Sequence, residues 1–173
     1  MKNLLFMLLA LLLYSCSNVT DITKLNEMAA EQAQKQNFKA ALKLVNSALD
    51  IAPNNDTSLY IRSSIKYTTK DYLGAESDIL AALKLKPEDV NYKHMYSSSL
   101  VMLGKYSQAI FLTTELIKLN PNDSTSYAIR AKAYAESKEW LKAVDDYTKI
   151  LEITPNPKIY SARAQMYSAF GYI

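Results

Sequence analysis

The sequence has few of the residues from which metal sites and active sites are built. Its 173 residues include one cysteine, one histidine and three glycines. One cysteine cannot form an internal disulfide, and together with one histidine it cannot complete a zinc site of the Cys/His type. Three glycines leave no glycine-rich loop for a nucleotide phosphate. The composition therefore predicts neither a metal nor a cofactor.

The chain also lacks a large excess of positive or negative charge. Twenty Lys and Arg stand against 17 Asp and Glu, a formal net charge of +3, and no basic run favours binding to nucleic acid. Hydrophobic residues make up 49% of the chain, which excludes wholesale disorder. The length is enough for one domain or a short array of repeats. These values exclude nucleic-acid binding and most classes of enzyme.

The first residues are typical of a secretory signal. Lys2 precedes ten uninterrupted apolar residues at 4–13. At about 1.5 Å per residue this run is too short to span a bilayer, and a positive charge followed by a short apolar segment is the pattern of a signal peptide. We expect this segment to direct export rather than to contribute to the fold.

The signal ends in the letters LYSC, which resemble a bacterial lipobox. The resemblance implies that residues 1–15 are removed and that Cys16, the only thiol in the chain, receives the diacylglyceryl group and anchors the protein. Residues 16–21 would then be the lipidated cysteine and a short tether, reaching less than about 20 Å from the membrane. The expected location is the bacterial cell envelope, and Ser17 favours the outer membrane if there are two. The alternative is a plain signal peptide in which Cys16 is incidental.

A period of about 34 residues organises the rest of the chain. Prolines, alanines and aromatic residues each recur with this spacing. The three columns are Pro53, Pro87, Pro121 and Pro155; Ala41, Ala75, Ala109 and Ala143; and Phe38, Tyr72, Tyr106 and Trp140. Apolar residues recur at three- and four-residue spacing between them, which predicts pairs of amphipathic helices. A proline ends each second helix, and the predicted caps of the next helices are Asp56, Asp89 and either Asp123 or Ser124.

These columns are similar to those of the tetratricopeptide repeat (TPR) family, which has an aromatic residue and an alanine early in the second helix and a closing proline. The resemblance covers residues 22–173, divided into repeats at 22–55, 56–89, 90–123 and 124–157 and a partial fifth at 158–173. It implies an all-α fold, a TPR α-solenoid of antiparallel helix hairpins stacked in a right-handed superhelix. It also implies a protein–protein interaction scaffold rather than an enzyme.

Comparison of the repeats with one another identifies a pair of positions that vary together. The seventh position of successive repeats holds Met28, Arg62, Tyr96, Arg130 and Arg163, and the position sixteen residues later holds Leu44, Asp78, Leu112 and Asp146. Arginine occurs where aspartate occurs. We expect Arg62 with Asp78, and Arg130 with Asp146, to form ion pairs between the two helices of one hairpin, in preference to contacting a ligand.

Arg163 has no predicted aspartate, because the matching position would be near 179. The sequence therefore suggests that the chain is a truncated part of a longer protein. The alternative is a terminal helix at 158–170 whose apolar side, with Arg163, Met166 and Phe170, docks on a partner.

The resemblance places the binding surface on the first helices of the repeats, whose groove positions are small, hydroxylic and nearly uncharged. The residues we single out as partner contacts are Tyr60, Ser64, Tyr67, His94, Ser98, Met102 and Lys132. The Lys/Asn/Arg clamp with which some TPR domains hold chaperone C-terminal carboxylates is absent from these positions. No second metal-ligating residue accompanies His94, and the sequence shows no obvious Ser–His–Asp assembly, so no catalytic residue is predicted.

The predicted function is a non-enzymatic scaffold, tethered to a bacterial membrane, that binds a protein or peptide near the lipid surface. Two alternatives remain open at this point. The chain could be the adaptor portion of a longer multidomain protein, or it could bind envelope glycan or another small ligand through its tyrosines and hydroxyl groups.

Overall fold

A computed structural model of the chain describes residues 21–171, which form nine helices and no strand. Helix α1 occupies residues 21–34. The others are α2 (Phe38–Ile51), α3 (Asp56–Thr68), α4 (Tyr72–Leu85), α5 (Val90–Met102), α6 (Tyr106–Leu119), α7 (Ser124–Glu136), α8 (Trp140–Ile153) and α9 (Pro157–Phe170). The all-α class is as predicted. The predicted signal peptide, the predicted lipidation site Cys16 and most of the predicted tether at 16–21 lie outside the described residues. Within residues 21–171, no helix combines the length and the hydrophobicity needed to cross a membrane.

The described residues divide after Pro87 into two compact units. In the first unit, Ala29, Ala41, Val45 and Ile65 form a buried cluster that brings together α1, α2 and α3. In the second, the corresponding cluster consists of Leu100, Val101, Ala109 and Ala133, from α5, α6 and α7. Each core therefore joins a hairpin to the first helix of the next hairpin.

The repeat columns explain how each hairpin is built. The aromatic residues Phe38, Tyr72, Tyr106 and Trp140 are the first residues of α2, α4, α6 and α8. The alanine three residues later is completely buried in all four helices, where its small side chain permits close helix packing. The even-numbered helices from α2 to α8 each end two residues before a proline of the repeating column.

The turn inside each hairpin uses a left-handed residue. Gln36, Lys70, Gly104 and Lys138 have φ between 60° and 73°. The next backbone N–H, for example that of Asp71, bonds back to the carbonyl of Lys66 at 2.8 Å, which satisfies a free carbonyl at the helix end. Only one of the four positions is glycine, so three turns hold a side chain in a conformation that usually favours glycine.

Two predictions about where helices begin are wrong. Asn55, rather than Asp56, caps α3 and accepts a hydrogen bond from the N–H of Ser58, because Asp56 is already the first helical residue. Asp89 caps α5 as predicted, and of the two candidates for α7 the cap is Asp123. The last helix begins at Pro157 behind the cap Asn156, one residue earlier than the predicted start at 158. A proline fits this first position because its missing N–H has no partner there anyway.

Candidate interaction surfaces

A groove runs between α1 and α3 in the first unit. Its larger part has a volume of about 670 Å³ and is lined by apolar, hydroxyl and amide groups, among them Ala33, Tyr60, Ser64 and Thr68. A second part of about 390 Å³ continues it past Asn26. Both parts share Ala30 and Ile61. Two of the predicted contacts, Tyr60 and Ser64, therefore lie on one surface.

Tyr67 does not line this groove. Its ring packs edge-on against the ring of Tyr72 with the centroids 5.5 Å apart, and burial raises the pKa of its hydroxyl. Tyr72 is the first residue of α4, so this contact closes the hairpin of α3 and α4. The prediction of Tyr67 as a partner contact rests on its position in the repeat, whereas its packing indicates a role within the hairpin.

A hydrogen-bonded cluster joins α1 to α3 at one end of the groove. The Ser58 hydroxyl donates to Asn26 Oδ1 at 2.8 Å and lies 2.9 Å from the capping oxygen of Asn55. Asn26 and Ser58 are both buried. Because each polar atom of this cluster has a partner, the groove floor is held in one arrangement before any ligand binds.

The predicted contact His94 has an equivalent role in the second unit. Its Nε2 lies 2.8 Å from Asp123 Oδ2 and 3.0 Å from Ser126 Oγ. The Ser126 hydroxyl donates to the same Asp123 oxygen at 2.6 Å, so we assign the proton on Nε2 to the bond with Asp123. Burial alone would raise the pKa of Asp123, but hydrogen bonds from Ser126 and His94 outweigh it and lower the pKa.

The sequence shows no obvious Ser–His–Asp assembly, yet the fold brings a serine and an aspartate to His94. Its two partners lie 29 and 32 residues later, in the following repeat, where no local motif reveals them. The geometry is nevertheless unsuited to activating a nucleophile. In a catalytic triad the carboxylate binds Nδ1 and the serine binds Nε2, whereas here both contact Nε2. Ser126 is also completely buried.

The remaining predicted contacts of the second unit lie on its first helices. Lys132 Nζ on α7 donates to the thioether of Met102 on α5 at 3.1 Å. Ser98 lies half-buried on α5. Met102 and Lys132 thus meet, while His94 is largely committed to Asp123 and Ser126 and has 15% of its side chain exposed.

The two predicted ion pairs are present. The Arg62 guanidinium donates from Nε and Nη2 to the two oxygens of Asp78 at 2.8 and 2.7 Å. Arg130 binds Asp146 in the same manner at 2.9 and 2.7 Å. Each aspartate is buried, and the arginine pKa is raised chiefly by the hydrogen bond to its carboxylate.

The two carboxylates differ in their surroundings. Burial would raise the pKa of Asp78, but Arg62 and Lys66, which lies 2.8 Å away, together lower it. Burial raises the pKa of Asp146, and Arg130 only partly offsets this. Tyr134 occupies the position on α7 that Lys66 has on α3, so the second pair lacks the additional cation and has an aromatic ring instead.

One apolar surface is not predicted by the sequence. In the second unit, α5 and α6 enclose a depression of about 530 Å³ that includes Tyr96, Leu112 and Phe111, whose surface is 69% exposed. Tyr96 and Leu112 occupy the positions of the arginine and aspartate in neighbouring repeats. Their apolar character was visible in the sequence, but the outward direction of Phe111 was not.

Comparisons with known proteins agree with this fold. No family model matches the chain. The heat shock protein sti1 homolog of Schizosaccharomyces pombe is 26% identical over 91% of this chain, which spans 29% of that protein's length. The thermophilic TPR protein TTC0263 of Thermus thermophilus superimposes with a TM-score of 0.74 at 20% identity, covering 87% of this chain and 83% of that one. YrrB, described as a TPR protein with an unusual peptide-binding site, gives a TM-score of 0.68 at 18% identity, covering 88% and 79%. The described residues therefore have a TPR fold.

Proposed function

We propose that this chain is a non-enzymatic scaffold that binds an extended segment of another protein in the groove between α1 and α3. The observation that carries the proposal is the groove itself, about 670 Å³ in its larger part, which is lined by apolar side chains together with hydroxyl and amide groups. Such a lining suits an uncharged peptide, whose backbone can bond to polar side chains while its apolar side chains contact the partly buried Ala33 and Ile61.

Two further observations support this function. The hydrogen-bonded cluster of Asn26, Asn55 and Ser58 holds the groove in place, which lowers the entropic cost of binding. A structurally similar protein is described as having a peptide-binding site.

We further propose that Cys16 carries a lipid that keeps the scaffold at the surface of a bacterial membrane. The support is the lipobox-like sequence ahead of it and the position of the chain's only thiol. Tethering confines scaffold and partner to one surface and raises their effective concentration. Expression in a diderm bacterium followed by membrane fractionation tests this. The wild-type chain should remain with membranes and gain the mass of acyl chains, whereas Cys16→Ala should do neither.

Site-specific photo-crosslinking in the native cell tests the groove. A photoreactive amino acid at Thr68, which is exposed and lines the groove, should give discrete adducts. The matched control position is Leu73 on α4, which is 68% exposed and lies outside the groove lining. Tyr60→Ala with Ser64→Lys should abolish the adducts at Thr68. Adducts of equal strength at both positions, or adducts that survive this double substitution, would contradict the proposal.

A further inference from the structure

The groove between α1 and α3 is uncharged along most of its length. All the residues that line its larger part are neutral. The smaller part is lined by one acidic residue, Glu27, and by no basic residue. Glu27 is therefore the only charged side chain among the described residues that line either part of the groove.

The carboxylate of Glu27 is available to a ligand. Glu27 is exposed near the middle of α1, and within residues 21–171 no basic side chain forms an ion pair with it. The next acidic residue of the same helix is different, because Glu31 Oε1 lies 2.6 Å from Lys35 Nζ. An unpaired carboxylate in an otherwise neutral groove attracts a cation.

The groove follows the axis of α1 for most of the helix. Its lining extends from Ile22 to Gln34, over which an α-helix rises about 18 Å. An extended peptide segment of five or six residues has this length at about 3.3 Å per residue. Ala33, in the larger part, lies about 9 Å beyond Glu27 along the helix, which is about three residues of an extended segment.

On the basis of the peptide-binding function proposed above, we propose that the bound segment carries a lysine or arginine beside Glu27. The rest of the segment is uncharged and lies in the larger part of the groove. The distance along α1 places the basic residue about three positions from an apolar side chain that contacts Ala33. The cation of the segment forms the ion pair that the groove residues do not supply to Glu27.

A hydrogen-bond donor lies in the same part of the groove. Asn55 lines it, and the Oδ1 atom of Asn55 accepts from the backbone N–H of Ser58 at 2.8 Å. Its Nδ2 atom makes no hydrogen bond with residues 21–171. This N–H group can donate to a backbone carbonyl of the bound segment next to the basic residue.

Residues 3–20 of the chain do not supply the cation. They contain no lysine, arginine or histidine. The one basic side chain ahead of them, Lys2, belongs to the predicted signal peptide. We therefore assign the basic segment to another protein.

The test uses pools of N-acetylated, C-amidated hexapeptides that compete with a fluorescent member for the full chain. One position is fixed as lysine, glutamine or glutamate, and the others are mixtures of uncharged residues. The blocked ends leave the fixed residue as the only charge, which excludes binding through a free α-amine. With the fixed residue near one end, we expect lysine to bind more tightly than glutamine by about threefold or more at low ionic strength, and glutamate to bind most weakly. Salt should reduce the difference.

Substitutions on α1 identify the residue that recognises the charge. Glu27→Gln should remove the preference for lysine, and Glu27→Lys should reverse it in favour of glutamate. Glu31→Lys is the matched control, because it makes the same change of charge on α1 outside the groove lining, and it should retain the preference for lysine.

The outcomes separate the role of Glu27 from the groove itself. Tyr60→Ala with Ser64→Lys should weaken binding of all pools. If it does so but lysine, glutamine and glutamate pools bind equally, the groove binds peptides and Glu27 does not select them. A lysine preference that survives Glu27→Gln would also overturn the proposal. If no pool binds at millimolar concentration, the groove function and the role of Glu27 are both wrong.

A photoreactive amino acid at Thr57, in the smaller part of the groove, tests the origin of the occupant in the native cell. We expect adducts with another protein that weaken in Glu27→Lys. An adduct with a residue of the same chain would show that the occupant is the chain itself, which would overturn the assignment to another protein.

Discussion

Arg62 and Asp78 lie sixteen residues apart and face each other across a hairpin through two parallel hydrogen bonds of 2.8 and 2.7 Å. Asp78 is 7% exposed at its side chain and Arg62 is 25% exposed, so the pair is shielded from screening by salt. A bidentate pair of this kind fixes the relative position of two helices as well as their separation. It therefore links α3 to α4 in addition to the apolar packing of the hairpin.

Removing one member of this pair should strongly destabilise the protein. In Asp78→Ala the Arg62 charge stays in a half-buried position without its carboxylate, which should lower the free energy of unfolding by about 3 kcal/mol. Urea unfolding followed by circular dichroism measures the loss. Asp145→Ala is the control, because Asp145 is exposed and adjacent to the second pair. If both substitutions cost less than about 0.5 kcal/mol, the pair does not stabilise the hairpin.

Replacing both members should cost much less than replacing one. The first repeat has Met28 and Leu44 at the same two positions, so Arg62→Met with Asp78→Leu copies a combination already present in this chain. An apolar pair of similar volume is often as stable as a buried ion pair. We expect the double variant to recover at least half of the stability lost in Asp78→Ala. A loss equal to the sum of the two single variants would contradict the idea that the positions act as a pair.

The contribution of Asp78 to the free energy of unfolding should change with pH only under acidic conditions. Its pKa is lower in the folded protein than in the unfolded chain, because Arg62 and Lys66 outweigh burial. The contribution is therefore complete above the unfolded pKa of about 4 and disappears as the pH falls through the lower folded value. Urea unfolding of wild type and Asp78→Asn at several pH values should show a constant difference from pH 7 to 5 that shrinks below pH 4. A difference that is unchanged at the lowest pH would argue against the shift.

Substitutions at two equivalent left-handed turn positions should change the free energy of unfolding slightly and in opposite directions. Gly104 has a φ of 73° and nothing within 4 Å of an added Cβ, so Gly104→Ala should cost about 1 kcal/mol from backbone strain alone. Lys70→Gly relieves the same strain at the equivalent turn, where φ is 67°, and should be neutral or stabilising. Thermal unfolding of the two variants measures both effects. If Lys70→Gly lowers the stability as much as Gly104→Ala does, the contacts of the lysine side chain stabilise the turn by more than the left-handed backbone destabilises it.

The repeating columns predicted the helices because each column has a direct physical role. The alanine of the column, for example Ala75, must be small where helices touch, and a proline such as Pro87 cannot continue a helix. The ion pairs were predictable for the same reason, since Arg62 and Asp78 vary together within one sequence. Such comparison works only where a contact repeats.

The His94 cluster could not be predicted from the repeat pattern. Its partners Asp123 and Ser126 belong to the next repeat, and Asp123 was identified only as a helix cap. Nothing in the local sequence indicates that a capping carboxylate also binds a side chain of the preceding hairpin. The direction of Phe111 was equally hidden, because an apolar residue in an amphipathic helix is expected to face the core.

Two kinds of polar contact between helices recur after every second hairpin of the chain. The pair of Arg62 and Asp78 returns two repeats later as Arg130 and Asp146, and the cluster around Asn26 returns after the same interval as that around His94. A gene duplication or deletion of a single repeat would place an arginine-bearing hairpin where a tyrosine- or methionine-bearing hairpin now stands. It would also separate Asn26 or His94 from the serine it binds. Insertion or deletion of two whole repeats would preserve these contacts. Engineered variants that differ by two whole repeats within residues 22–157 should therefore be more stable than variants that differ by one.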